Sequence, residues 1–293
     1  MLFHHTSIKG TSNLLSYLQI LFATGTLTIS VLSFCSPAYA ARAIDQTEID
    51  TAESLTDADK AVQSRFHGHI GGEINYAAGI RNDEPQRGRP VPLVFVMYDE
   101  WIYGRFTGGV EAGVWLWQTQ DHMQKAGVSA QSHIGSPILS GMAVRKASSD
   151  GVLNFQWRTT TNYALLTYQR DIGNASNGDS ATLALSHNLI FRQLLSGHDV
   201  LLVPRIDLEW QSARLVDYYY GVRPSEVAPD RPAYIGRSTF NGGLKLTGFL
   251  RINRTWAAFV GMHAAVYGAG ITDSPLVKRT STTREYIGAV WFF

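Results

Sequence analysis

The chain has 293 residues, and its 25 Lys and Arg almost balance 24 Asp and Glu, for a net charge of +1. A charge so near zero gives no electrostatic footprint for a nucleic-acid partner. The single cysteine, Cys35, lies in the N-terminal stretch, so disulfides, thiol chemistry and cysteine metal sites are excluded from the remainder.

Residues 1–40 read as a secretory signal. Lys9 precedes an apolar run from about Ile20 to Phe34, and Ala38-Tyr39-Ala40 supplies a small-residue cleavage site after Ala40. The run is short and interrupted by Thr, Ser and Gly, which disfavours a retained membrane anchor. Phe34, next to Cys35, is too bulky for a lipoprotein cleavage site. In residues 41–65, Asp45, Glu48, Asp50, Glu53, Asp57 and Asp59 outnumber Arg42, Lys60 and Arg65, as in a solvated acidic leader. The roughly 250 residues after the signal suit one large domain, which we place at 66–293.

From Phe66 onward the sequence has a period of two. Phe66, Ile70, Ile74 and Tyr76 alternate with His67, His69, Glu73 and Asn75. Val110, Ala112, Val114 and Leu116 alternate with Glu111 and Trp115; Leu153, Phe155 and Trp157 oppose Asn154, Gln156 and Arg158. Leu202, Ile206, Leu208 and Trp210 oppose Arg205, Asp207, Glu209 and Gln211. In the stretch 238–268, Phe240, Leu244, Leu246, Leu250, Trp256, Val260 and Val266 share one face, with Asn241, Lys245, Thr247, Arg251 and His263 on the other. Successive strand residues point to opposite faces, so each segment has an oily and a polar side.

Many segments run longer than the five or six residues usual for a soluble strand. The connections alternate in length. Asp99-Glu100, Ser196-Gly197 and Asn253-Arg254 mark tight turns, whereas 79–90, 172–180, 214–236 and 269–283 are long and polar. Short turns on one rim and long loops on the other predict an all-β fold: an antiparallel transmembrane β-barrel of the outer-membrane type. Hydrocarbon offers no hydrogen-bond partners, so the sheet must close, with its oily face to lipid and its polar face inward. The last segment carries Ile287, Ala289, Trp291 and Phe293 on one face and ends on an aromatic, like the signal read by the barrel-assembly machinery.

Eleven strands are countable, near 66–78, 91–98, 103–118, 123–136, 152–160, 162–171, 181–194, 198–213, 238–252, 255–268 and 284–293. Single-chain bacterial barrels have even numbers. We therefore expect twelve, with ten as the alternative, and place the miscount between 118 and 172.

The predicted lumen carries Glu73, Arg105, Glu111, Lys125, Arg158, Arg205, Asp207, Glu209, Lys245 and Arg251. The signs are mixed, and buried charges must pair, so a paired network filling the lumen is favoured over a conducting pore. Catalytic patterns are weak. Ser186-His187 and Ser132-His133 suggest a lipid hydrolase, but neighbours on a strand face opposite ways and cannot act as nucleophile and base. His67 and His69 with Glu73 lack a third metal ligand at a telling distance. No phosphate loop or nucleophile elbow is present, and neither a cofactor nor a metal is expected.

The last third is more specific. Asp217-Tyr218-Tyr219-Tyr220-Gly221-Val222, then Arg223-Pro224-Ser225-Glu226, then Arg231-Pro232-Ala233-Tyr234 resemble the long loop of the MipA/OmpV family. A glycine-rich strand, a short turn and Trp256 follow, then Asp273-Ser274-Pro275-Leu276-Val277 and a closing aromatic strand, in the order that family shows. The resemblance covers roughly residues 200 to 293. Gly71-Gly72-Glu73-Ile74-Asn75-Tyr76 and the stretch around Arg145 to Asp150 match more loosely. The resemblance implies an outer-membrane barrel without catalytic activity. The implied role is a scaffold bridging a murein lytic transglycosylase and a bifunctional penicillin-binding protein; other members are porin-like or adhesive. Tyr220, Gly221, Val222, Pro232, Tyr234, Asp273, Ser274 and Pro275 are then loop-shaping positions or an extracellular contact surface, with Gly221 expected to supply an unusual backbone angle and Pro275 to stiffen a turn.

Overall fold

The structure, a computed structural model, describes residues 65–77, 79–81, 87–107, 109–132, 141–195 and 197–293. The signal-like residues, the acidic segment up to residue 64, and His133 lie outside the described residues.

The described strands are β1 (Phe66–Ala77), β2 (Arg87–Tyr98), β3 (Ile102–Phe106), β4 (Val110–Gln118), β5 (Gln124–Ser132), β6 (Ser149–Arg158) and β7 (Asn162–Asp171). They continue as β8 (Asp179–His187), β9 (Leu189–Leu195), β10 (His198–Gln211), β11 (Thr239–Arg251), β12 (Trp256–Val266) and β13 (Ser281–Phe292). All pairings are antiparallel, and β13 returns to pair with β1, so the sheet closes. β8 and β9 pair with β10 in one continuous register: Ser186 faces Arg205 and Phe191 faces Val200. They are one stave interrupted at Asn188, whose N–H donates instead to the Thr161 carbonyl at 2.7 Å. The ring therefore has twelve staves.

The missing strand lies between 103 and 118, not between 118 and 172. A minimal turn at Thr107, where its N–H donates to the Gly109 carbonyl at 3.3 Å, splits that run into β3 and β4. Alternation continues on both sides of so short a turn, so periodicity alone does not reveal it. β2 also begins earlier than expected and includes Pro90 and Pro92. Gly68 exchanges both backbone bonds with Phe293, so by alternation Gly72 and Ile74 direct their N–H groups toward β13. Pro92 and Pro90, opposite them, then turn their nitrogens away from β1. On that side β3 pairs only with Val94 to Tyr98, so among the described residues no paired strand awaits the N–H that proline lacks.

Apart from the turn between β3 and β4, which lies on the opposite rim, the short turns share one rim. Asp99 and Glu100 both take left-handed φ values, 53° and 61°, as a two-residue hairpin turn requires. Asn253 Oδ1 accepts from the N–H groups of Thr255 and Trp256, both at 2.9 Å, and fixes the turn into β12. The connections 172–178, 212–238 and 267–280 lie on the other rim. Short turns mark the periplasmic end of such barrels and long loops the outer end.

The burial pattern is the inverse of a soluble protein's. Ile74, Leu244, Val260 and Ile287 are about 60% exposed, while Lys245, Thr247, Asn241 and Gln156 are buried. Only a lipid surround makes an exterior of that kind favourable. Trp101, Trp117, Trp157, Trp256 and Trp291 are exposed near the short-turn rim, and Tyr76, Tyr168 and Phe240 toward the other, as two interfacial aromatic belts.

Candidate functional site

The interior is not uniformly polar. Toward the short-turn rim the inner faces of β2 and β10–β13 carry Leu93, Leu201, Val203, Phe249, Phe259, Val290 and Phe292, packed as one cluster with Tyr286. Phe95, Met97 and Tyr103 extend it onto β3, with Trp115 of β4 against them. His69 is buried between the rings of Phe95 and Phe292, at 5.6 and 6.1 Å between centroids. The expected polar lining thus gives way to an apolar, aromatic one at this end.

Charged groups occupy the rest of the wall in local sets. Arg105 Nε donates to Glu111 Oε2 at 2.7 Å, and the other carboxylate oxygen accepts from Tyr103 Oη at 3.1 Å and Ser129 Oγ at 2.8 Å. Asn154 extends that set, donating to the Tyr103 hydroxyl at 3.2 Å and accepting from Thr167 at 3.2 Å. Arg205 donates to Asp207 at 2.7 Å. Asn241 donates to Glu209 at 3.0 Å, and Asn75 to Glu73 at 3.1 Å. Lys245 lies 5.8 Å from the Tyr286 ring centroid, and the Arg251 guanidinium 4.6 Å from that of Phe292. At the short-turn rim Lys125 and His67 both reach Glu100, at 3.1 and 3.2 Å. Burial alone would raise the Glu100 carboxyl, but Lys125, with His67 and His122 behind it, outweighs that and holds the group below its ordinary range.

The long-loop rim is organised by a helix α1 (Ala213–Tyr220), a 3-10 turn Pro224–Glu226 and a short helix α2 (Ala269–Thr272). α1 buries Leu215, Val216, Tyr219 and Tyr220 against Ile80 and Ile271. Arg145 locks the loops together: it forks onto Glu226 with two bonds of 2.9 Å, and donates to the carbonyls of Tyr218, Ala143 and Gly221. The Arg145 hydrogen bonds pull the Glu226 carboxyl down to about 2. Arg81 donates to the Tyr219 carbonyl at 2.7 Å and lies over the Tyr220 ring.

The resemblance-motif residues converge in this cap. Ser274 Oγ donates to the Tyr220 carbonyl at 2.6 Å, Val222 and Tyr234 exchange backbone bonds, and Tyr234 Oη donates to the Gly270 carbonyl at 2.7 Å. Asp273 pairs with Arg237, Pro275 lies in the turn that the Val277 N–H closes on Ser274, and Pro232 is exposed. Gly221 corrects one expectation. Its φ of −69° is ordinary, and its lack of a side chain matters for space: a Cβ would lie 2.3 Å from the Asp217 carbonyl oxygen. Arg145 was named in the sequence only as the edge of a loosely matching stretch, and Arg81 not at all, because their partners are tens of residues away.

Of the other candidates, Ser186 faces inward and His187 outward, where its Nδ1 pairs with Asn162 at 2.9 Å. Ser132 Oγ donates weakly to the Val110 carbonyl at 3.5 Å.

Residues 70–293 match the family described as "MltA-interacting protein MipA". The outer membrane protein Omp26La of Vibrio anguillarum is 29% identical over 153 residues, covering 52% of this chain; the chain spans 56% of that relative's length. Among solved structures, the NanC porin is similar over 76% of this chain and 98% of its own, at 11% identity and a TM-score of 0.46. OmpT of Vibrio cholerae is similar over 80% of this chain and 100% of its own, at 10% identity and a TM-score of 0.35. The closed lipid-facing ring, the two aromatic belts and a family match that runs from β1 to the last residue lead to one conclusion: this chain is an outer-membrane β-barrel protein and belongs to the MipA family.

Proposed function

We propose that the barrel is a non-enzymatic outer-membrane scaffold, holding a murein lytic transglycosylase and a bifunctional penicillin-binding protein at the periplasmic rim. The observation that carries this reading is the family match over 70–293, whose description names interaction with a murein transglycosylase, MltA. The apolar, aromatic inner wall near the periplasmic end supports it, since such a lining suits packing better than the passage of hydrated solutes. The separation of Ser186 from His187 across the sheet supports the absence of a hydrolase site. The test is a pull-down from a periplasmic extract on detergent-solubilised barrel, with murein enzymes identified by mass spectrometry. Recovery of a lytic transglycosylase is the expected result, and none recovered under conditions that keep the barrel folded would sink the reading.

A second reading is a small porin-like channel, favoured by the charged side chains that line the inner wall away from that apolar end. Planar-bilayer recording separates the two. Steady conductance steps from pure protein support the channel, and silence supports the scaffold.

A further inference from the structure

We infer that β9 is a docking edge on the periplasmic rim, where an extended, acidic segment of a periplasmic protein adds as a further strand. β9 pairs with β10 and, among the described residues, with no strand on its other side. Its neighbour there stops short. Asn188 gives its N–H to Thr161 in the β6–β7 turn, and β7 itself begins at Asn162, opposite His187. Leu189–Leu195 therefore hang past that turn. Their 7 residues, at about 3.3 Å each, tilted near 40° and shortened by the bulge facing His198, descend roughly 10–15 Å. Trp157 stands exposed near the end of β6, at headgroup level, so the tip of β9 lies beyond it on the aqueous side.

The backbone leaves this edge open. Asn188 faces β7, so alternation turns the N–H and C=O of Ile190 the same way, past the end of that strand, while Leu189 and Phe191 face β10. Edges exposed to water are commonly blunted by proline or lysine. β9 carries neither, and only the bulge near its tip interrupts it. Leu189, Phe191, Leu194 and Leu195 are 39–58% exposed along it, and at the tip no hydrocarbon reaches them.

Two observations choose the occupant. An open edge takes an extended segment through added backbone bonds, with apolar side chains seated at alternate positions. Such a short edge buries on the order of a few hundred Å², well under the ~1,200 Å² of a stable pairing between folded copies, so a second barrel is a poor occupant. Charge narrows the class. Asp199 is committed to Arg192 and to the Gln193 N–H. Arg158 leads into the β6–β7 turn and Arg254 lies in the turn from β11 to β12, and neither has an ion pair among the described residues. The surround is thus net positive and suits a segment that alternates apolar and acidic residues. The inference rests on the scaffold reading for its biological partner, but its test uses no murein enzyme, so either can fail alone.

The experiment is fluorescence anisotropy of a short labelled peptide alternating valine and glutamate, titrated with the detergent-solubilised full barrel, beside a peptide alternating valine and lysine. The acidic peptide should bind saturably, and the basic one with clearly lower affinity. Ile190→Pro removes the edge N–H while sparing the bonds to β10, and should weaken binding about tenfold, the scale of one hydrogen bond. The Ile190 side chain packs on the inner cluster, so folding is checked by the mobility shift on heating. If that variant fails the check, Leu194→Glu, a change at an exposed position, takes its place and should weaken binding by like charge. Lys278→Gln, in the outer loops, should leave binding unaltered. Silence with the acidic peptide, equal binding of both peptides, or binding that survives the hairpin variants overturns the edge. So does binding that appears only after deletion of residues 41–60, since this chain's own acidic segment would then be the occupant, or a dimer in detergent that the hairpin variants abolish.

Discussion

Arg145 spends five hydrogen bonds inside the outer cap, two of them on Glu226 and three on backbone carbonyls. Both side chains are more than nine-tenths buried, so removing the carboxylate strands a guanidinium. Glu226→Gln should destabilise the cap by about 3 kcal/mol, the scale for breaking a buried pair. The pH dependence follows from the depressed carboxyl, near 2 against an ordinary value of about 4.3. A group depressed on folding contributes fully above its unfolded value, and the contribution is lost as pH falls from there through the folded value. Near-ultraviolet circular dichroism of the cap tyrosines should therefore hold steady down to about pH 4.5 and decline toward pH 2. In Glu226→Gln the acid-dependent step should shrink. None of this was legible in the sequence. Arg145 and Glu226 meet across 81 positions, and nothing local marks either as the other's partner. Gly221 shows the same limit in another form: its importance was readable, but its reason was the nearby Asp217 carbonyl, not its own dihedrals.

At the level of strands, alternation was the dependable signal, because a side-chain period of two is imposed by the pleat itself. The outward sets on β1, β6, β10, β11 and β12 are as read. What alternation hides is a turn too short to break it, as between β3 and β4, and an inner face that is itself apolar. Phe249 and Phe259 have the parity of Lys245 and His263, yet pack into the inner cluster. A chemical label of polar-inside therefore misses them. The outward face makes its own prediction. Val260 stands midway along β12 and is 58% exposed. Val260→Arg should cost about 2–4 kcal/mol if that position lies at the bilayer midplane, falling toward zero nearer the interface. Denaturant-driven refolding into vesicles measures it. No loss of stability there would mean that Val260 does not stand at hydrocarbon depth.

For the molecule as a whole, closure is the property that ties sequence to location. A sheet closed by the pairing of its first and last strands can sit in hydrocarbon, and the tryptophans at its lower margin hold it at the headgroups. Class and placement were readable from the chain because they depend on repetitive features, averaged over a dozen segments. Interior detail depends on which side chains meet across the ring, and that requires the register. If the apolar inner end obstructs passage, purified barrel should give no steady conductance, and Phe249→Ala with Phe259→Ala should introduce it. Leakage that is equal before and after those changes would remove the obstruction from the account.

β3 offers only five residues where most staves offer nine or more. At about 3.3 Å per residue and a tilt near 40°, it climbs roughly 13 Å, about half the usual apolar band of 25 Å. The fence is lowest there, and the margin of β2 from Arg87 to Leu93 stands without a flanking stave on that side among the described residues. Acyl chains alongside must shorten or lean to match it. The surrounding leaflet should be thinnest on one flank, giving the protein a preferred direction toward thin membrane or toward a neighbour able to fill the dip.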